Sequence, residues 1–476
     1  MHWEHIKYSD PNITEIEWLP QHTKRNGSVI LDYTTSRLNN NYCFYMNPYI
    51  ETDPEKNMTI AFHDLIYKAS VIEDKFLPEK PTVRNRLIFH SFCCINDRPV
   101  TAELLYNGIC ERVGHDLHPN DIIYFHFTGE CYMDPITYRV VKTFLKLCDE
   151  TKVVFMTGSI GGVITSRTTK NLFSDNPNFY MLCTNDWICS TQGITSYDPS
   201  YDIVQYQEHY PKSKTFIALM GGPRSHRAVT IGKLAVDGLL DNGYVSWNVP
   251  EYGYNINFDS LQIKSISPEF DHPDYEILAT KVNSMDLPGY KNMIPFTEKL
   301  MTRPLNPFYL NEAELTCHQD AYVYLVPETQ YWNSNPDLLD YCVKPILDRH
   351  EKFGHYNIYS LPSNFYSEKV WKPMTNKIPF IVVGTPYNLQ SLRDLGFKTF
   401  HPWIDETYDT IEDDYLRLDA ISKELQRLRD NPPDKEWMDA VKEIGNHNYS
   451  MLFEWNGHGP NTLLNNRGEV LKTDFI

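Results

Sequence analysis

The chain has 476 residues, which is more than one hydrophobic core usually holds, so we expect two domains. Apolar residues make up 41% and aromatic residues 13% of the chain, which excludes a disordered protein. The net charge of −18 argues against a broadly basic surface that wraps nucleic acid, while a local basic cleft stays compatible with it.

The first part of the chain alternates short β-rich runs with stretches of helical spacing. Such alternation predicts a mostly parallel sheet with helices packed against it. The expected elements are strands at Arg86–Cys93, Asp121–Phe127, Lys152–Met156 and Asn178–Cys183, and helices at Val100–Val113 and Pro135–Glu150.

The second part restarts the pattern after a boundary near Tyr210–Lys214, interrupted by an irregular, Pro- and Tyr-rich excursion over residues 248–319. The expected elements are strands at Lys214–Met220, Tyr244–Trp247, Ala321–Val326 and Pro379–Gly384, and helices at Gly222–Leu240, Leu338–Lys352, Ser367–Asn376, Asn388–Leu395 and Glu412–Asp430. We expect one α/β domain over 1–212, a second over 213–435, and helices in 436–476 that cross back to the first. The charges of the 412–430 helix indicate a solvated face.

The sequence carries no signal for export or membrane insertion. The N-terminal residues lack a basic region followed by an apolar stretch, and no apolar run reaches about 18 residues. The ten cysteines include no CxxC pair, which indicates reduced thiols rather than disulfides or zinc. We therefore expect a cytoplasmic protein without a membrane span, located in the host cytoplasm if its source is a phage or virus.

The segment Tyr366-Ser-Glu-Lys369 has the residues of an anion-binding helix start. Ser367 is a candidate N-cap, and Glu368 and Lys369 then fall in the first turn. A lysine there opposes the helix dipole unless a phosphate lies nearby, and the adjacent glutamate suits a pair of ribose hydroxyls. A surface capping helix with a Glu/Lys pair is the alternative.

The segment Met220-Gly-Gly-Pro-Arg-Ser-His-Arg227 follows a strand and begins a helix. Its two glycines permit close approach of a ligand to the backbone, and Arg224 and Arg227 lie on one helical face. Guanidinium groups can clamp a diphosphate with paired hydrogen bonds. Ion pairs across a domain interface are the alternative, and His226 is a minor candidate that suits a packed core equally well.

Together these segments resemble the fucosyltransferase-like, family-10 glycosyltransferases. Tyr366–Lys369 followed by Pro379–Gly384 resembles that family's Tyr-Thr/Ser-Glu-Lys and Val-Pro-Val-Val-Gly signature, and Phe125-His-Phe-Thr-Gly-Glu130 resembles its Thr-Gly-Glu segment. Tyr322–Glu328 lies where the family has a strand leading to a glutamate, and Pro223–Arg227 is similar to a segment of relatives in phages, giant viruses and bacteria. The similarity is clearest over residues 213–430.

The chain departs from the family at two places. Pro327 precedes Glu328 where the fucosyltransferases have Phe-Glu-Asn, and Asn376-Lys377 replaces the usual Ala-Gly pair. The identity of the transferred sugar therefore does not follow from the resemblance.

The resemblance implies two Rossmann-like domains that face a central cleft, the GT-B architecture, and inverting transfer from a nucleoside-diphosphate sugar without a metal or other cofactor. It implies ribose binding by Glu368, diphosphate binding by Lys369 and one arginine, for which we favour Arg227, and a Tyr366 near base or phosphate. Glu130 would be the general base, with Asp134 and Asp186 as substitutes and a helix-capping role as the alternative. Glu328 is a further possible donor-site residue.

The acceptor side is less determined. Gly158-Ser-Ile-Gly-Gly162 lacks a Walker lysine, and we interpret it as a turn on the acceptor side of the cleft. A glycan, a lipid or a small molecule is the preferred acceptor, and a hydroxymethylated base in phage DNA is the alternative. A catalytically silent nucleotide- or glycan-binding module also fits, and neither UDP nor GDP is favoured as the donor's nucleotide.

Overall fold

A computed structural model describes residues 17–25, 28–38, 40–45, 65–78, 82–90, 102–127, 135–184, 210–220, 225–247, 277–278, 281, 317–328, 331, 361–454 and 460–474. Within these ranges the chain is an α/β protein that contains one mixed sheet and one parallel sheet. The α/β class expected from the alternating pattern is confirmed. No helix of the described ranges is long and apolar enough to cross a membrane.

The first sheet has nine described strands, in the order β1-β2-β3-β4-β5-β6-β7-β12-β13. Strands β3 to β7 are parallel and follow one another in chain order, and antiparallel strands flank them on both sides. The strands are β1 Glu17–Arg25, β2 Ser28–Leu38, β3 Asn41–Tyr45, β4 Arg86–His90, β5 Ile122–Phe127, β6 Lys152–Thr157, β7 Phe179–Cys183, β12 Asn461–Asn465 and β13 Val470–Asp474.

Helices cover both faces of this sheet. On one face, Phe89, Phe125 and Phe155 pack with the apolar sides of three helices. Alternate residues of the same strands, such as Ile88 and Val154, pack on the other face against one of the described helices. The helices are α1 (residues 65–71, continued by a π-helical turn Ile72–Phe76) on the second face, and α2 Ala102–Val113, α3 Pro135–Leu147 and α4 Val163–Phe173 on the first. Parallel strands added in chain order by right-handed crossovers place their helices on one face, as α2 to α4 are placed.

The second sheet has four described strands, all parallel, in the order β11-β10-β8-β9. The order reverses between β8 and β10, because β9 adds to one side of β8 and β10 adds to the other. Such a reversal opens a crevice at the carboxyl ends of the two strands, where α/β proteins bind their ligands. The strands are β8 Lys214–Met220, β9 Gly243–Trp247, β10 Ala321–Pro327 and β11 Phe380–Val383.

The helices around the second sheet include the segment on which the sequence analysis centred. Helix α5 (Ser225–Val236) follows β8, and α6 (Glu368–Thr375) leads into β11. The others are α7 Asn388–Asp394, α8 Asp414–Asp430 and α9 Lys435–Glu454. Helix α5 ends at Val236, before the expected Leu240, because Gly238 adopts a φ of +67° that ends the helix and starts a separate turn.

Among the described residues, chain segments cross between the sheets in both directions. The segment 361–367 begins against the first sheet, where Leu361 joins its apolar core, and continues into α6 of the second. In the other direction, residues after α9 return to the first sheet, where β12 pairs with β7. The expected helix at Leu338–Lys352 lies outside the described residues.

Candidate functional site

Glu328 lies at the carboxyl end of β10, beside the crevice between β8 and β10, and its side chain is fully buried. The Ser367 backbone nitrogen donates to Glu328 Oε1 at 2.7 Å, and Ser367 Oγ lies 2.9 Å from each carboxylate oxygen. The Glu328 nitrogen donates to the Val383 carbonyl at 3.0 Å, which fixes the residue against β11. A buried carboxylate is tolerated when it is hydrogen-bonded in this way.

Ser367 connects Glu328 to Lys369. It is the N-cap of α6, as its position before the apolar helix predicts, and its Oγ accepts from the Lys369 backbone nitrogen at 3.3 Å. The Lys369 ammonium also donates to the same Oγ, at 3.0 Å. We refer to the side chains of Glu328, Ser367 and Lys369 as the relay. It joins a buried carboxylate to a half-buried cation through one hydroxyl.

Tyr366 lies in the core beneath the relay, with 2% of its surface exposed. Its hydroxyl donates to the Asn388 carbonyl, and its ring packs edge-on against Trp371 with the centroids 5.6 Å apart. Burial raises the pKa of Tyr366 well above 10, and the charge of Asp409 raises it further. The side chain that the resemblance places near the base or phosphate therefore anchors the segment from below.

Arg227 and His226 begin α5 at the same edge of the sheet, and each is 3% exposed. The parallel pairing of β8 with β10 brings the start of α5 next to the strand that carries Glu328. The His226 ring stacks on Tyr331 with the centroids 5.9 Å apart and the planes 17° apart. His226 thus packs in the core, as its alternative interpretation holds, while Arg227 is equally buried near the carboxyl end of β8.

Arg417 supports this edge from within α8. Its guanidinium lies 4.7 Å from the centre of the Tyr331 ring, and its nitrogens donate to the carbonyls of Gly384 and Tyr331 at 2.9 and 2.8 Å. It is 1% exposed. The expectation of a solvated face for this charged helix is wrong at this position, because backbone carbonyls of Gly384, directly after β11, and of Tyr331 replace water around the charge.

The starts of two neighbouring helices are closed by side chains of the chain itself. Asp409 accepts from the backbone nitrogens of Leu389 and Gln390 at the start of α7, at 2.8 and 2.9 Å. Burial raises the pKa of Asp409, although these two backbone bonds oppose the shift. Asn364 accepts from the Ile164 nitrogen at the start of α4. These three N–H groups are therefore not left to hold an anion.

The turn at Gly158–Gly162 contacts the second sheet's segment 361–367. The Ile160 nitrogen donates to the Asn364 carbonyl at 2.8 Å, and Ser159 Oγ lies 3.0 Å from Ser363 Oγ. A Cβ atom on Gly162 would lie 2.5 Å from Asn364 Oδ1, so this position requires glycine. The interpretation as a turn on the acceptor side did not anticipate this contact, because sequence spacing does not reveal a partner some 200 residues away.

Several predicted site residues lie outside the described residues. They are Glu130, Asp134, Asp186, Arg224 and the side chain of Glu368. Glu368 is the first residue of α6. Strand β5 ends at Phe127, three positions before Glu130. The structure thus places Glu328, Ser367, Lys369 and Arg227 along one edge. Asn364 and Arg417 were missed, since an isolated asparagine or arginine gives no motif.

Neither metal-ligating side chains nor similarity to known proteins adds a constraint on the chemistry of this site. Within the described ranges, no group of three His, Cys, Asp or Glu side chains converges as a metal site would. No family model matches the chain, and no significant match was found among curated proteins or solved structures.

Proposed function

We propose that the chain is a glycosyltransferase that binds a nucleoside-diphosphate sugar at the carboxyl edge of its second sheet. The observation that carries the proposal is the relay, which holds the Lys369 ammonium next to the strand-order reversal between β8 and β10. Cations and helix starts at such a crevice are the usual means of binding nucleotide phosphates.

In this proposal Lys369 and Arg227 neutralise the diphosphate, and Glu368 binds the ribose hydroxyls. Tyr366 contributes indirectly, because its buried ring fixes the segment that carries Glu368 and Lys369. The cations stabilise the charge that develops on the leaving diphosphate, which is the task that a metal ion performs in other transferases. UDP and GDP sugars both suit these groups.

The acceptor would bind on the side of the first sheet, giving a GT-B arrangement of two Rossmann-like domains. The acceptor oxygen attacks the anomeric carbon while the bond from that carbon to the diphosphate breaks. Glu130 takes the acceptor's proton, and the nucleoside diphosphate leaves with the bonding electron pair. A positioned base contributes about 10²–10⁴ in rate. Inversion at the anomeric carbon follows from this single displacement.

The net charge of −18 favours a glycan, lipid or small-molecule acceptor over DNA, because duplex DNA repels an acidic surface. A hydroxymethylated base in DNA would need a basic strip at the mouth of the cleft and extrusion of the base from the duplex.

Nucleotide binding tests the proposal. We would record thermal unfolding with UDP, GDP and their sugars for the wild type, Lys369→Ala and Lys372→Ala. A ligand at about 100 times its dissociation constant stabilises a folded protein by about 2.7 kcal/mol. Lys372→Ala is the matched control, since it removes the same charge from the same helix one turn farther from the relay.

We expect a nucleotide sugar to stabilise the wild type and Lys372→Ala, and to stabilise Lys369→Ala much less. Absence of any shift in the wild type would refute the donor site. Binding without transfer to any glycan, lipid or hydroxymethylated DNA, and without hydrolysis of the donor, would favour a silent binding module instead.

A further inference from the structure

We infer that Glu328 is a positioning residue that orients the Lys369 ammonium through the Ser367 hydroxyl, and that the relay selects a nucleoside diphosphate over a monophosphate. The inference rests on the proposed function, because it assigns the source of phosphate selectivity within the same site. The inference goes beyond the proposed function because it gives a role to the Glu328 carboxylate, which solvent does not reach.

Hydrogen-bond direction within the relay follows from the chemistry of its groups. An ionised carboxylate has acceptors and no donor, so the one proton of Ser367 Oγ points to Glu328, 2.9 Å away. The oxygen's lone pairs then face the two donors of Lys369, its backbone nitrogen at 3.3 Å and its ammonium at 3.0 Å. The carboxylate thereby determines which way the serine can interact with the lysine.

This direction matters because a lysine side chain is a flexible stem that ends in a point charge. An acceptor at 3.0 Å holds the Lys369 ammonium in one place before a ligand arrives, which lowers the entropy lost on binding. An ammonium has three protons, and the bond to Ser367 uses one of them. An ammonium that is held at one position favours a ligand with a phosphate at that position over a ligand that lacks this phosphate.

Replacement of Glu328 by glutamine removes this constraint on hydrogen-bond direction at nearly constant volume. The amide keeps one acceptor oxygen and gains two N–H donors, so residue 328 can then also donate to Ser367 Oγ. A serine proton that turns towards Lys369 opposes the ammonium. Ser367→Ala removes the connection altogether, and Ser367→Thr keeps a hydroxyl in the same position.

The dissociation constants of a nucleoside diphosphate, of the matching monophosphate and of inorganic pyrophosphate would be measured by calorimetry for each variant. The ratio of the monophosphate constant to the diphosphate constant is the deciding quantity. A purely structural role lowers stability and weakens both nucleotides alike, which leaves this ratio unchanged. The measurements use both the uridine and the guanosine nucleotides.

Glu406→Gln is the matched control. Glu406 is also buried and accepts from a backbone nitrogen, that of Phe400 at 2.5 Å, and from a hydroxyl, that of Thr399 at 2.7 Å. It lies outside the relay, so its substitution reproduces the loss of a buried carboxylate without affecting Lys369.

We expect the ratio to fall about tenfold in Glu328→Gln and Ser367→Ala, which corresponds to about 1.4 kcal/mol. Ser367→Thr and Glu406→Gln should keep the wild-type ratio. In a Lys369→Ala background, Glu328→Gln should change the ratio no further, because the carboxylate acts through that lysine.

The outcomes separate the two proposals. If the wild type discriminates between the nucleotides and Glu328→Gln keeps the full ratio, the positioning role is overturned. The donor site is then unaffected. A wild type that binds pyrophosphate but no nucleotide overturns the proposed function; a weakening of pyrophosphate in Glu328→Gln would then still support the relay. A wild type that binds none of the three overturns both.

Discussion

Asn364 Oδ1 accepts a hydrogen bond from the backbone nitrogen of Ile164, 3.0 Å away, and so caps a helix that lies 200 residues earlier in the chain. The Asn364 nitrogen in turn donates to Thr165 Oγ1 at 3.0 Å. On the other side, its Nδ2 donates to the Pro386 carbonyl and to Asn388 Oδ1. One fully buried side chain thus links the start of α4 to the turn after β11.

Asn364→Ala should lower the free energy of unfolding by about 3 kcal/mol, because it removes a helix cap and leaves buried polar partners unsatisfied. Urea unfolding measures the change. Asn431→Ala is the control: that asparagine is exposed, its side-chain bond to the Arg427 carbonyl is 3.5 Å long, and substitution should change stability by at most about 0.5 kcal/mol. Equal, small effects of both substitutions would contradict the role of Asn364.

Gly162→Ala should destabilise the contact between the start of α4 and the second sheet by steric overlap. The glycine has a φ of −82°, which alanine adopts without strain, but a Cβ atom would lie 2.2 Å from Ser391 Oγ. Overpacking of this kind costs about 1–3 kcal/mol. Ser391→Ala removes the nearer atom, so the double variant should lose less than the sum of the single losses. Strict additivity in urea unfolding would argue that the two positions do not touch.

Arg417→Met should cost about 3–5 kcal/mol, since it removes a buried charge that satisfies several carbonyls and leaves Asp414 without its ion pair. Arg417→Lys keeps the charge but not the planar fork, and should recover part of the loss. Arg429→Met is the control, because Arg429 pairs with Asp430 at the exposed surface. Its melting temperature should equal that of the wild type.

His318 should make the protein less stable in acid. The ring is fully buried, which lowers its pKa well below 6.5, and the charges of Lys372 and Lys212 lower it further. Below pH 6.5 the unfolded chain therefore binds a proton that the folded chain does not, and stability falls as the pH falls towards the folded pKa. The slope from this residue is at most about 1.4 kcal/mol per pH unit.

Urea unfolding of the wild type and His318→Phe between about pH 8 and 5 measures this effect, because the difference between the two proteins removes the contribution of the other histidines. We expect the variant's stability to fall less between pH 6.5 and 5. Parallel curves for the two proteins would show that the ring is not buried in its neutral form.

The sequence predicted elements whose signals are local. The β8 bounds of Lys214–Met220 match the expectation, because the strand is a continuous apolar run between polar residues. The Ser367 N-cap could be predicted for a similar reason, because the serine directly precedes the helix in the sequence. Helix α4, Val163–Phe173, was missed, since its threonines favour extended structure and its start is capped by Asn364. Contact with a distant residue leaves no periodicity in the chain.

The relay illustrates the same limit at the candidate site. Ser367, Glu368 and Lys369 form a motif, whereas Glu328 was a possible site residue by resemblance. Its bond to Ser367 spans 39 residues. Likewise, β12 and β13 were missed because five-residue strands acquire their register from the edge they join, here the edge of β7.

The pairing of β7 with β12 has a consequence for synthesis on the ribosome. Leu463 and Leu464 of β12 are fully buried, yet the edge that they cover is translated long before them, as the bond from Asn466 to the Ser174 carbonyl, 292 residues earlier, illustrates. At about 5–20 residues per second, that edge waits on the order of tens of seconds for its partner. An uncovered strand edge invites pairing with other chains, so nascent copies of this protein should depend on chaperones until the last strands emerge.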